Sequence, residues 1–416
     1  MTWLTGRLVT FDDDGGWSAP AGAIRIEDDR IAEVDASGEF RGDAIGGEDA
    51  WIFPGFIDAH VHLPQFDVIG CHGLPLLDWL QRHVFPAESR WADVDFASAM
   101  TDRVCDQWLS AGTTSVAAYA TSHPKSAAAA IGVMSRRGVG GLVGPVLMNR
   151  FGPPALIDDP DRQIDGTAAL LSRHPPGGRV SVAVTPRFAV SCDADMLAAA
   201  GRLAAEHDAN IQTHLSETLA ECDQVRELFG KGYVDVYDDA GLLTPRTILG
   251  HGIHLDDEDR SRLRQRGAIV AHCPTANDFL ASGRMSLSDN RASDVRVALG
   301  SDIGAGFERS MVRVARAMLL TAAAADPERP PPAAIDGWRS ITRDAADVLG
   351  WTDRGRLHVG ATADVVVVRP TLDRAGITAG RSGRDADERL LSQMLWAWDD
   401  RWIEGVWTLG RRRYPR

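Results

Sequence analysis

The rhythm of apolar and polar positions changes twice along the chain. The first fifty residues carry short apolar runs separated by turn residues. Trp3 to Phe11 and Ala23 to Glu27 read as strands, and Ile31-Ala32-Glu33-Val34 alternates as a half-buried strand does. The far end repeats this pattern, with strands expected at Thr362 to Val368 and Ile403 to Leu409. Between them, from about residue 55 to 350, apolar runs alternate with stretches of helical character. The strand candidates are Thr114 to Ala118, Gly141 to Val146, Val180 to Val184, Asn210 to His214, Ile248 to His251, Ala268 to His272 and Val295 to Leu299. Asp193 to Glu206, Thr218 to Phe229 and Asp256 to Arg266 read as helices between them. With the run ending at His62 this makes eight strands, each followed by a helix or a long loop.

That repeat over roughly 300 residues predicts an α/β chain folded as a (β/α)8 TIM-like barrel. The two strand-rich ends are expected to pair into a small β-sandwich domain. Residues 1–54 and 356–416 would build it, and residues 55–355 would form the catalytic barrel. A doubly wound open sheet is the alternative, weakened because no G-x-G-x-x-G follows the first strand. Asp326 to Pro332 and Thr378 to Asp387 are expected to be the least ordered stretches.

Composition narrows the class. The chain has 416 residues, 44% hydrophobic and 25% charged, as a soluble globular protein does. Its formal charge is −14 with no long basic run, which argues against a nucleic-acid partner. Arg411-Arg412-Arg413 reads as part of a solvated tail strand. The five cysteines are widely spaced with no C-x-x-C, which excludes a cysteine-based structural zinc site and suits a reducing compartment. The N-terminus does not begin a signal peptide, and no apolar run reaches membrane-spanning length. A cytoplasmic enzyme with no membrane partner is the expectation.

Chemistry enters at the strand ends, where barrels of this kind place their working residues. Phe56-Ile57-Asp58-Ala59-His60-Val61-His62 brings two histidines to the end of the first strand. Spaced by one residue, their side chains share one side of a strand and can converge on one metal ion. The fifth strand ends in His214, the sixth in His251 and the eighth leads to Asp302. Any one of these alone fits a core histidine or a helix N-cap. Together at four strand ends they point to a catalytic divalent ion, with nitrogen and oxygen donors that suit Zn²⁺ and admit Fe²⁺. Asp302 is placed to hold a water on that ion and take its proton. Glu217, just past His214, can carry a proton from attacking water to a leaving group.

These residues, and others that metal chemistry alone does not require, resemble the amidohydrolase superfamily and, more narrowly, its guanine deaminases. Pro54 to His62 looks like that family's first strand, and Pro64-Gln65-Phe66 follows where the family carries a substrate-contacting glutamine. Leu74 to Leu80 and Phe85-Pro86-Ala87-Glu88 are similar to its next segment. Thr185-Pro186-Arg187-Phe188 matches the Arg and Phe that contact the purine. His214-Leu215-Ser216-Glu217, His251-Gly252, His272-Cys273-Pro274-Thr275 and Ser301-Asp302 complete the pattern, which runs from about residue 50 to 320. Leu63, Asp278 and Ala305 depart from it.

The resemblance implies hydrolytic deamination of guanine to xanthine and ammonia, a step of purine catabolism. It implies one metal ion per chain, held by His60, His62, His214 and Asp302. His251 would steady the hydrolytic water, Asp302 would act as base and Glu217 as proton shuttle. Gln65, Arg187 and Phe188 would read the purine, with His214 and Trp79 also against it. It further implies a homodimer. Alternatives are a relative acting on a pterin, another purine or a triazine, and a non-catalytic scaffold. His254 and His272 are candidates to orient ligands or line the pocket. His72, His83, His123, His174, His207 and His358 are read as surface or core histidines.

Overall fold

The computed structural model describes residues 1–12, 15–38, 40, 42–371 and 384–415. Eight parallel strands follow one another in chain order: Phe56–His62, Thr113–Tyr119, Gly140–Gly144, Val180–Pro186, Asn210–Leu215, Thr247–His251, Ile269–His272 and Arg296–Leu299. Helices such as Val94–Ser110, Pro124–Arg137, Ala194–Glu206 and Leu219–Phe229 connect them. The ring closes where the eighth strand meets the first. The Asp302 amide donates to the His60 carbonyl at 2.8 Å, and the His62 amide to the Ile303 carbonyl at 2.8 Å. This is the expected (β/α)8 barrel. The strands read as continuous apolar runs because they are buried on both faces.

The helix boundaries have local causes. Thr218 and Asp256 each cap a helix through a capping box, with Glu221 and Asp259 returning the bond to the cap residue's amide. Gly138, Gly230 and Gly267 end helices in the left-handed conformation, which suits a residue without Cβ. Residues 326–332 carry no helix or strand. Of the stretch 378–387, residues 378–383 lie outside the described residues, and a helix runs over Arg384–Ala397.

The chain ends pair as expected. Strands Arg30–Asp35, Ala21–Glu27, Thr2–Leu8, Ile45–Pro54, Val365–Val368, Ile403–Thr408 and Arg411–Tyr414 are adjacent in that order in one seven-stranded sheet. A two-stranded ribbon, Thr10–Phe11 with Trp17–Ser18, stands beside it, so the run expected as one strand from Trp3 to Phe11 is broken after Leu8. Two-residue periodicity assigns the faces. Ile52, Val365 and Val367 join an apolar cluster private to this sheet, while Trp51, Phe53, Val366 and Val368 turn to the large cluster shared with the barrel. Ile45–Pro54 is the strand of the seven-stranded sheet that the sequence reading did not name. Its first half is Gly- and acid-rich and its second half, Ala50 to Pro54, is wholly buried, so no alternation marks it. It runs through Pro54-Gly55 into the first barrel strand and thereby ties the two parts together. Among the described residues no helix is long and apolar enough to cross a membrane, and no two cysteines are joined in a disulfide.

Candidate active site

At the carboxyl ends of the barrel strands, five side chains expected from the sequence meet. Nε2 of His60 and Nε2 of His62 each lie 3.2 Å from Asp302 Oδ1. Nε2 of His62 and of His214 are 3.1 Å apart. Donor atoms of His60, His214, His251 and Asp302 all fall within 4.8 Å of one another. His60 owes its place to bare backbone on two neighbours. A Cβ on Gly250 would stand 2.6 Å from His60 Cε1, and one on Gly300 would stand 2.6 Å from His60 Cβ. Ser216, His251 and Asp302 all adopt positive φ, at 47°, 72° and 50°. Such strained backbone persists where the surroundings hold it, and it clusters at functional sites.

The protonation pattern follows from the neighbours. His214 Nδ1 lies 2.6 Å from the Arg187 carbonyl, which can only accept, so that nitrogen carries the proton and Nε2 presents a lone pair. His251 Nδ1 lies 2.9 Å from Asn277 Oδ1, and the same reasoning leaves its Nε2 as a lone pair. Burial lowers the His62 imidazole to about 4, and burial with the neighbouring histidines holds His214 well below its ordinary value. His62 and His214 are therefore neutral. Burial alone would raise the Asp302 carboxyl, but bonds to His60 and His62 and the nearby His251 outweigh it and hold it well below the usual range. Nδ1 of His60 and Nδ1 of His62 are buried without hydrogen-bond partners, and Nε2 of His60 has Asp302 Oδ1 at 3.2 Å as its neighbour. Imidazole donors and an ionised carboxylate gathered within 4.8 Å of one another fit a divalent cation of the zinc type.

Glu217 stands on the rim beside this cluster. Its Oε2 is 3.3 Å from His251 Nε2, and Ser282 Oγ donates to its Oε1 at 2.9 Å. Burial and the Asp302 charge push its carboxyl up to about 8. Beneath it Glu221 accepts from the Glu217 and Thr218 amides at 3.1 and 3.3 Å, which fixes the turn that carries Glu217.

A cavity opens onto these groups. Gln65, Trp79, Arg187, Phe188, His62, His214, Glu217, His251 and Asp302 line it, with Leu76, Leu80, Leu280 and Ala305. Every substrate contact expected from the sequence is thus in one pocket. Trp79 is pinned by its indole N–H, which donates to the Cys71 carbonyl at 2.7 Å. His254 reaches the Ser282 carbonyl at 2.9 Å and so steadies the loop that holds Glu217, whereas buried His272 has no partner for Nδ1 and does not line the cavity. Leu63 is core, and Asp278 stands at the surface facing Arg284. The six histidines read as bland lie outside the cavity lining and the donor cluster.

Sequence reasoning missed four supports. Asp58 accepts from the amides of Ser301 at 2.9 Å and His60 at 3.2 Å, bracing the closure of the barrel. Asn277 sets the His251 tautomer, and Ser282 holds Glu217. Glu88 bonds both Gln65 and Arg187. Asp58 could have been found, because it is a lone acid inside an otherwise apolar run; Glu88, followed directly by Ser89 and Arg90, and Asn277 and Ser282 carried no such signal.

Comparison with known proteins matches residues 51–413 to the model of the amidohydrolase family. The chain is 34% identical over 374 residues to a probable guanine deaminase of Schizosaccharomyces pombe, covering 87% of this chain and 71% of that protein. Among solved structures it superposes on guanine deaminase from Bradyrhizobium japonicum with a TM-score of 0.92, 29% identity and full coverage of both chains. It superposes on guanine deaminase from C. acetobutylicum, solved with guanine in the active site, with a TM-score of 0.90, 25% identity and 99% coverage of both.

Proposed function

The chain belongs to the amidohydrolase family, and from that premise we propose that it hydrolyses guanine to xanthine and ammonia. The observation that carries this reading is the single cavity in which the His60, His62, His214, His251 and Asp302 cluster shares walls with Gln65, Arg187 and Phe188.

His60, His62, His214 and Asp302 would hold one divalent ion, zinc being favoured by the donor set. When bound, it supplies Lewis acidity that lowers the pKa of water. The ionised Asp302 accepts a proton from the attacking water, and His251 hydrogen-bonds that water through its Nε2 lone pair. Glu217, whose carboxyl is protonated near neutral pH, gives its proton to the ring nitrogen beside C2 as that carbon becomes tetrahedral. Asp302 then passes the proton it took to the departing amino group, and Glu217 recovers its own from the hydroxyl now on C2 as the carbonyl forms. Phe188 and Trp79 offer apolar faces to the flat ring. Arg187 has only N–H donors, so it satisfies the C6 carbonyl of guanine and faces the C6 amino group of adenine with the wrong polarity. A site built for one hydrogen-bonding group rejects an analogue lacking it by about 10⁴-fold.

The test is ammonia release from a panel of guanine, adenine, cytosine, a pterin and an amino-triazine. Guanine should dominate by kcat/KM. A good pterin or triazine rate beside no guanine turnover would overturn the substrate and leave the hydrolytic chemistry standing. A homodimer in the cytoplasm and a place in purine catabolism belong to the same proposal, and light scattering of the purified protein checks the dimer.

A further inference from the structure

Gln65 and Arg187, two walls of the cavity, are held by one buried carboxylate. Glu88 is 3% exposed and sits in the helical turn Phe85–Ser89. Gln65 Nε2 donates to its Oε1 at 2.9 Å, and Arg187 Nη1 donates to its Oε2 at 2.7 Å. The Gly304 amide donates to Gln65 Oε1 at 3.2 Å. The Gln65 amide therefore has one allowed orientation. Turned over, it would set its NH₂ against the Gly304 N–H and its oxygen against the carboxylate. Arg187 is confined in the same way, with the Phe85 ring centroid 5.3 Å from its guanidinium carbon.

The consequence concerns polarity. With Glu88 and Gly304 engaged, Arg187 has only N–H groups left for a ligand, and Gln65 has its second amide N–H and one lone pair of Oε1. The Arg187 charge is matched by the Glu88 carboxylate within the wall, so no net charge is presented there. Glu88 itself does not line the cavity.

We propose that Glu88 is a positioning residue for purine recognition, holding the free N–H groups of Gln65 and Arg187 in place on a neutral wall that selects a ring bearing a carbonyl at C6. This rests on the guanine reading above. The test compares the parent enzyme with Glu88→Gln and Glu88→Asp on guanine and on 2-aminopurine, which keeps the C2 amino group and lacks the C6 oxygen. Each is assayed as substrate and as competing ligand, with metal content and Tm measured alongside. In Glu88→Gln a donor replaces one acceptor, so either Gln65 or Arg187 must turn away. Its guanine kcat/KM should fall by about 10²-fold, as for loss of a charged buried hydrogen bond. The loss should appear mainly in KM, because the C6 contact is made in ground and transition states alike. Values for 2-aminopurine should change little, and metal content should hold. Glu88→Asp keeps the charge and should recover part of the preference.

An equal loss on both purines, or an unchanged preference for guanine, would overturn the role. If Glu88→Gln does not fold, Glu88→Asp decides alone: its shorter carboxylate cannot serve both partners, so an unaltered preference refutes the proposal. A parent enzyme inactive on guanine would instead sink the functional reading itself.

Discussion

Arg179, at the foot of the fourth barrel strand, and His60, near the head of the first, are both largely buried and are treated in opposite ways. Arg179 Nη1 lies 2.6 Å from Asp364 Oδ2, its Nε donates to the Gly138 carbonyl at 3.1 Å and its Nη2 to the Thr114 carbonyl at 3.3 Å. Arg296, at the foot of the eighth strand, donates to the Pro245 and Gly267 carbonyls at 2.8 and 2.9 Å. These cations seal the base of the barrel against the small sheet and the strand-entry loops. At the head, Nδ1 of His60 and Nδ1 of His62 are left without hydrogen-bond partners and Glu217 is buried with its carboxyl pushed up to about 8. Unpaired buried polar groups are destabilising, so they persist where something other than stability maintains them. One mouth of the barrel is built for strength and the other for chemistry, as this fold permits.

The contrast can be broken from the head first. Chelating the divalent ion should abolish ammonia release entirely and added zinc should restore it, followed by assay with metal analysis. Full turnover in metal-free protein would remove the basis for the proposed mechanism. Glu217→Gln should lower kcat by about 10²–10⁴-fold, the usual effect of losing a general acid–base group. Metal content should not change, and turnover within tenfold of the parent would mean that the shuttle lies elsewhere.

The foot should respond in the other currency. Asp364→Asn strips the Arg179 cation of its partner and should destabilise by about 3–5 kcal/mol in denaturant unfolding, with kcat/KM for guanine unchanged. A selective loss of activity there would erase the distinction between the two mouths. A smaller effect returns to Glu217. Its pKa is raised from 4.5 in the free group to about 8 in the fold, so the folded state binds the extra proton between those values. Stability is highest below the window and declines as pH rises through it. In metal-stripped protein, Tm should therefore fall with pH more steeply in the parent than in Glu217→Gln, and parallel curves would refute the raised pKa. Least of all, Asp256→Ala removes the exposed cap of an outer helix and should cost about 1 kcal/mol with no kinetic change.

Much of this protein was determined by the sequence alone, for a local reason. Strand and helix periods are written in neighbouring residues, so seven of the barrel strands could be placed within two or three residues of their observed bounds and the eighth by the run into His62. Because a barrel puts its chemistry at strand ends, His60, His62, His214, His251 and Asp302 could be named before any coordinate was known. The strand Ile45–Pro54 escaped because burial on both faces erases the alternation by which strands are recognised. Other features only the tertiary structure decided. Glu88 meets Gln65 across 23 residues and Arg187 across 99, and Ser282 meets Glu217 across 65. No period in the chain encodes those meetings. They depend on which loops pack over the mouth, and burial there, rather than residue type, turns Glu217 from an ordinary acid into a proton carrier at neutral pH.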